Sequence, residues 1–188
     1  MKIGVIGVGR LGQDCAEVMA ENGHEVSGYD INPFESDSIT QVETIEELVK
    51  DKEYVFVSVP TPHDPAYDGS TPAMHLEPKD FDYTIAKSVI EEANTYMNDS
   101  QSIILISTVM PGTIRNQIIP LVTNTKFVYN PYLIAMGTIR WDMVNPEMIM
   151  VGTEDGSTTG LANELKSFYD SFMENNPRTV IGTWEEIE

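Results

Sequence analysis

The chain has 188 residues, 30 of them acidic and 11 Lys or Arg, which gives a formal charge of −19. That balance opposes nucleic acid and anionic membrane as partners, because both are recognised through cationic side chains. A single cysteine, Cys15, excludes an internal disulfide and any multi-cysteine metal site, and the length suits one domain with a sizeable core.

Lys2 to Ile6 is a short apolar run that reads as a buried strand, and Gly7-Val8-Gly9-Arg10-Leu11-Gly12 follows at once. A helical pattern then extends from Arg10 to Asn22. Leu11, Cys15, Val18 and Met19 share its apolar stripe, so Cys15 is expected to be a buried, inert thiol. A second strand pattern runs from Glu25 to Asp30. Strand, glycine turn, helix, strand and terminal acid in this order form a dinucleotide-binding fingerprint. Gly7 permits the tight turn, Gly9 lets the backbone approach a pyrophosphate, and Gly12 lets the helix pack on the strand. Arg10 and Leu11 open the helix, whose free N–H groups and dipole attract the anion. Asp30 can accept hydrogen bonds from both adenosine ribose hydroxyls and would repel a 2′-phosphate. Ile31 to Phe34 supply no Lys or Arg to hold that phosphate, so the expected cofactor is NAD rather than NADP.

Further along, strand-length apolar runs recur at Tyr54 to Val59, Ser102 to Ser107, Lys126 to Tyr129, Met148 to Gly152 and Thr179 to Ile181. Helical patterns cover Ile45 to Lys50, with Thr44 and Glu47 as a capping box, then Phe81 to Met97, Thr113 to Val122 and Thr159 to Met173. Continuous rather than alternating apolar character belongs to strands covered on both faces. The alternation predicts an α/β fold, a doubly wound, mostly parallel sheet of Rossmann type in a single domain over 1–188. The irregular stretch 60–78 follows a strand directly, and a ligand-edge or partner-contact role is expected for it. No apolar run nears the roughly 20 residues of a membrane span, and Met1-Lys2 leads straight into a strand, so a cytoplasmic location is expected. His24, His63 and His75 show no metal-ligand spacing, and no metal is expected.

Beyond the fingerprint, a set of strings occurs in order. Gly23-His24-Glu25-Val26 precedes Gly28-Tyr29-Asp30, then come Val59-Pro60-Thr61-Pro62 and Ser107-Thr108-Val109-Met110-Pro111-Gly112-Thr113. Asn130-Pro131, Gly137, Asp142, Pro146 and Val151-Gly152 complete it. Together they closely resemble the N-terminal domain of the UDP-glucose/GDP-mannose 6-dehydrogenase family, from end to end of this chain. The resemblance implies an NAD-dependent, two-step oxidation of a sugar-nucleotide C6 alcohol to a carboxylate. It also implies that a central helix and a C-terminal domain hold the sugar nucleotide and supply a nucleophilic Cys and a Lys. Val59, Pro60, Thr61, Ser107 and Thr108 would join the glycines and Asp30 in the cofactor cleft, with Thr108 positioning a catalytic water.

The chain departs from the family in places. Where the family commonly reads NPEFLREG, this chain reads Asn130-Pro131-Tyr132-Leu133-Ile134-Ala135-Met136-Gly137, and Met148 replaces a usual Arg. Both family glutamates are absent, and neither Tyr132 nor Met136 can serve as a carboxylate base. Thr183 to Glu188 resembles the start of the central helix, so a nucleotide sugar is expected to bind only with the C-terminal part present.

Three readings stay open at this point. The chain is the NAD-binding part of a nucleotide-sugar 6-dehydrogenase, or a non-catalytic NAD-binding or regulatory module, or a different small dehydrogenase using Tyr132 or His63 as acid or base. A homodimer or association with a complementary chain is open in each.

Overall fold

A computed structural model describes residues 1–72 and 74–188; Ala73, inside the 60–78 stretch, lies outside them. Eight strands form one sheet: β1 (Lys2–Ile6), β2 (Glu25–Tyr29), β3 (Thr40–Gln41), β4 (Tyr54–Val57), β5 (Ser102–Leu105), β6 (Lys126–Tyr129), β7 (Met148–Thr153) and β8 (Arg178–Thr183). Their order is β3-β2-β1-β4-β5-β6-β7-β8. All neighbours are parallel except β6 and β7, which meet antiparallel at Tyr129 and Gly152. The winding direction reverses between β1 and β4, and in such sheets the crevice outside the strand ends at that switch is where a ligand sits.

Helices α1 (Arg10–Glu21), α4 (Ile139–Val144) and α5 (Leu161–Asp170) cover one face of the sheet. Here Cys15, Met19, Phe56, Phe168 and Tyr169 are buried together. Helices α2 (Ile45–Val49), α3 (Thr84–Tyr96) and α6 (Trp184–Ile187) cover the other, around Leu48, Val57, Ile90, Leu105 and Trp184. Both strand faces are therefore buried, which accounts for the continuous apolar runs. Among the described residues no helix is long and apolar enough to cross a membrane.

Several boundaries differ from expectation. The Thr113 to Val122 segment is not an α-helix but a π-type turn at Ile114–Ile118 followed by a 3-10 turn at Ile119–Leu121. Pro120 has no N–H to donate and its ring crowds the preceding turn, so regular α bonding cannot pass through it. Helix α3 starts at Thr84 rather than Phe81, because the Asp82 carboxylate accepts the Thr84 N–H at 2.9 Å and the Asp82 N–H is drawn to the Pro62 carbonyl. The expected capping box at α2 is half formed: Thr44 accepts the Glu47 N–H, but the Glu47 carboxylate turns to the N–H of Glu43. A complete box instead joins Thr183 and Glu186 at α6. Helix α4 and the two-residue β3 escaped the sequence pattern, both too short to display a period.

The described residues of the 60–78 stretch are tied at several points. Lys79 pairs with Asp64, the Tyr67 hydroxyl donates to the Glu77 carbonyl, and a 3-10 turn at Pro65–Tyr67 is capped by Asp64.

Candidate functional site

The β1–α1 turn is built by the space its glycines leave. Gly7 has φ +92°, and a Cβ there would lie 2.3 Å from the Ser58 carbonyl oxygen. At Gly12 a Cβ would lie 1.9 Å from the Gly7 carbonyl oxygen, so only glycine lets α1 sit this close to the turn. Gly9 is the opposite case: nothing lies within 4 Å of a Cβ built on it. The space in front of Gly9 is open cleft. No side chain caps α1, and its first turn holds no acid, so its N-terminal N–H groups and positive dipole end face that space.

Gly7, Gly9, Arg10, Leu11, Gly12, Asp30, Val59, Pro60, Thr61, Ser107 and Thr108 all line one cleft of about 790 Å³. That volume falls in the range of small-molecule and cofactor sites. Sequence reasoning missed part of its wall: Phe34, and Ile85 and Val89 from α3, line it too. The signal of Ile85 and Val89 was an ordinary helical stripe, which does not distinguish a core contact from a ligand contact, and Phe34 sits in a loop with no period to read.

Arg10 and Asp30 are the charged side chains of this lining. Asp30 is half-buried beyond the end of β2, and its Oδ1 accepts the Asn32 backbone N–H at 2.8 Å and the Asn32 side-chain amide at 3.4 Å. That turn fixes the carboxylate's orientation and leaves Oδ2 without a protein donor among the described residues. Ile31, 86% exposed, stands beside it at the cleft rim.

The opposite wall comes from the turns after β4 and β5, which are bonded to one another. The Ser107 hydroxyl donates to the Val59 carbonyl at 2.7 Å, and the Thr61 hydroxyl donates to the Thr108 carbonyl at 2.7 Å. Thr61 and Ser107 thus spend their protons on the wall itself, while the exposed Thr108 hydroxyl has no protein partner among the described residues. Thr108 caps no helix; the π-type turn that follows has Thr113 before it and no side-chain cap.

Tyr132 lines the cleft, but its hydroxyl is committed. It bonds to the Tyr169 hydroxyl at 2.7 Å, Tyr169 donates to Asn130 Oδ1, and Asn130 Nδ2 donates to the Met150 carbonyl at 2.7 Å. Since Tyr169 uses its only proton on Asn130, Tyr132 must be the donor to Tyr169. Desolvation holds both phenols well above the ordinary tyrosine range, and it outweighs the hydrogen bond from Tyr132, which by itself lowers Tyr169. A phenol so held is no base at neutral pH. His63 is exposed, outside the cleft lining. Among the described residues no cluster of three or more His, Cys, Asp or Glu could hold a metal. Cys15 is buried on the far side of the turn, and burial pushes its thiol up to about 12.

The sequence also matches known proteins. A family model described as "UDP-glucose/GDP-mannose dehydrogenase family, NAD binding domain" matches residues 34–173. The chain belongs to that family. A second model, "D-isomer specific 2-hydroxyacid dehydrogenase, NAD binding domain", matches residues 1–66 and so spans the glycine turn. Both descriptions name NAD, and NAD is the cofactor of this domain class.

Two curated relatives of the family are a GDP-mannose 6-dehydrogenase of Pseudomonas aeruginosa and a UDP-N-acetyl-D-mannosamine dehydrogenase of Methanococcus maripaludis. The first is 24% identical over 88% of this chain and 44% of its own length. The second is 27% identical over 99% of this chain and 46% of its own. A solved GDP-mannose dehydrogenase from Pseudomonas aeruginosa, a ternary complex, shares the fold with TM-score 0.80 at 21% identity, over 100% of this chain and 47% of that one. The chain spans less than half the length of each.

The residues present fit NAD: an open space at Gly9, an uncapped helix N-terminus and an oriented carboxylate at Asp30. Of the departures from the family pattern, Tyr132 and Met148 are half-buried, whereas Met136 is exposed and lines the cleft. Met148 and Tyr132 border a cavity of about 20 Å³ near Asn130 and Tyr169. The Ala135 N–H and Thr138 hydroxyl both donate to Asp142 Oδ2, which shapes the turn carrying Met136.

Proposed function

We propose that this chain is the cofactor-holding half of a nucleotide-sugar 6-dehydrogenase, in the cytoplasm, binding NAD for oxidation of a UDP- or GDP-linked sugar at C6. The observation that carries the reading is Gly9: the one fingerprint glycine whose missing side chain opens into the cleft rather than onto protein. In this proposal the first turn of α1, from Arg10 to Gly12, receives the pyrophosphate on backbone N–H groups. Asp30 accepts from the adenosine ribose hydroxyls, with Ile31 against the base. Val59, Pro60, Thr61 and Ser107 shape the wall at the reacting end, and Thr108 offers a hydroxyl there to hold a water. NAD, when bound, supplies a hydride acceptor.

The sugar nucleotide, the covalent capture of an aldehyde and the matching proton transfers would need groups from outside these 188 residues, since Cys15 is walled off and Tyr132 is locked. NADH formation from UDP- and GDP-hexoses tests this: none from the chain alone, and turnover when the C-terminal half of a relative is supplied in trans. A second reading, a non-catalytic NAD-binding or regulatory module, is favoured by one observation, the replacement of both family glutamates by Tyr132 and Met136. It predicts NAD binding with no NADH even after that addition.

A further inference from the structure

The turn that carries Thr108 is held from two elements distant in sequence. On one side is Tyr83, 4% exposed, immediately before α3. Its phenol donates to Asp80 Oδ1 at 2.5 Å and accepts both the Met110 backbone N–H at 2.9 Å and the Thr113 hydroxyl at 3.2 Å. One donor and two acceptor positions are all a phenol has, so this hydroxyl is saturated. Asp80 is itself anchored, accepting the Phe81 N–H at 2.8 Å and the Gln117 amide at 3.3 Å. On the other side is Glu188, whose two carboxylate oxygens accept the Gly112 and Ile114 N–H groups, each at 2.6 Å. Arg115 pairs with Glu185 and lies 4.9 Å over the Trp184 ring, which fastens α6 to the same turn.

With the bond from Thr61, the backbone from 108 to 114 is therefore pinned at every second residue, and the Ser107 and Thr113 hydroxyls add side-chain ties. The Thr108 side chain is left unspent and exposed to the cleft. Groups locked by packing and hydrogen bonds around a free functional side chain are what preorganisation requires.

We propose that Tyr83 is a positioning residue for the reacting end of the cofactor cleft, setting the Thr108 turn through Met110 and Thr113, with Glu188 holding the same turn from α6. Burial first and the Asp80 bond second keep the Tyr83 phenol above its ordinary value, so it stays a donor to Asp80 at working pH. The proposal rests on the NAD reading above. It places the effect at the nicotinamide end and none at the adenosine end, where Asp30 and α1 act.

The test is calorimetry of Tyr83→Phe with NAD and with ADP-ribose, which lacks the nicotinamide. Phe keeps the buried ring and removes the acceptor of the Met110 N–H. NAD should bind about fivefold more weakly, the effect of one lost hydrogen bond, while ADP-ribose affinity stays within twofold. Equal losses for both ligands, or no loss for either, would overturn the positioning role. A wild-type chain that binds neither ligand would overturn the NAD reading and this proposal with it. Should Tyr83→Phe not fold, Glu188→Gln decides: its amide sets an NH₂ against one of two backbone donors, and the same split between NAD and ADP-ribose is expected.

Discussion

The Thr61 hydroxyl donates to the Thr108 backbone carbonyl at 2.7 Å, joining the turn after β4 to the turn after β5 across the mouth of the cleft. The bond converts two loops into one wall. It also explains why two threonines in similar sequence settings have different work: Thr61 is a fastener and Thr108 is the free hydroxyl.

Thr61→Val removes that donor while keeping the shape. Because the site is near the surface, the fold should lose no more than about 1 kcal/mol in a denaturant titration. NAD affinity should fall severalfold by calorimetry, since the Thr108 turn gains freedom. Wild-type affinity in Thr61→Val would mean that the tie does not shape the cleft.

Gly9 and Gly12 should respond in opposite ways to the same added methyl. Gly12→Ala places a Cβ 1.9 Å from the Gly7 oxygen, so α1 must shift and stability should drop by about 1–3 kcal/mol. Gly9→Ala meets no protein atom within 4 Å and should melt like wild type, yet it should lose NAD binding because the methyl fills the approach to the pyrophosphate. A melt and a titration of each variant check the crossing. NAD binding by Gly9→Ala at wild-type strength would show that the pyrophosphate lies elsewhere.

Stability should fall on the alkaline side. Desolvation raises Cys15 from 9.0 to about 12 and Tyr54 and Tyr129 from 10.0 to about 12, with Tyr132 and Tyr169 also raised. The unfolded chain releases these protons first, so above pH 9 it binds fewer protons than the folded state, and each group then costs about 1.4 kcal/mol per pH unit. Denaturant midpoints should hold steady near neutrality, fall from about pH 9 and fall more steeply past pH 10. Cys15→Ala should delay the onset. A flat profile to pH 11 would contradict the burial of these groups.

That the glycine turn and Asp30 line one cleft was legible because the signals are local. Gly7, Gly9, Gly12 and Asp30 fall at fixed offsets within one strand-turn-helix-strand unit, and turn geometry alone assigns each a task. The clamps on the Thr108 turn were not legible, because Tyr83 and Glu188 reach it from 27 and 76 residues away and look like an ordinary helix start and a surface acid. Tyr132 read as a lost base, but only packing revealed that it is a half-buried donor to Tyr169. Helix lengths were overread where a single residue decides: Pro120 breaks α bonding, and Asp82 delays α3 to Thr84.

In the proposed function the β1–α1 turn and Asp30 together form an NAD site. Calorimetric titration of the chain with NAD and with NADP tests it most directly, followed by the same pair on Asp30→Ala. One NAD per chain should bind, with NADP weaker by about tenfold or more, and Asp30→Ala should weaken NAD and narrow that gap. No binding of NAD, or equal affinity for NADP in the wild-type chain, would contradict the account.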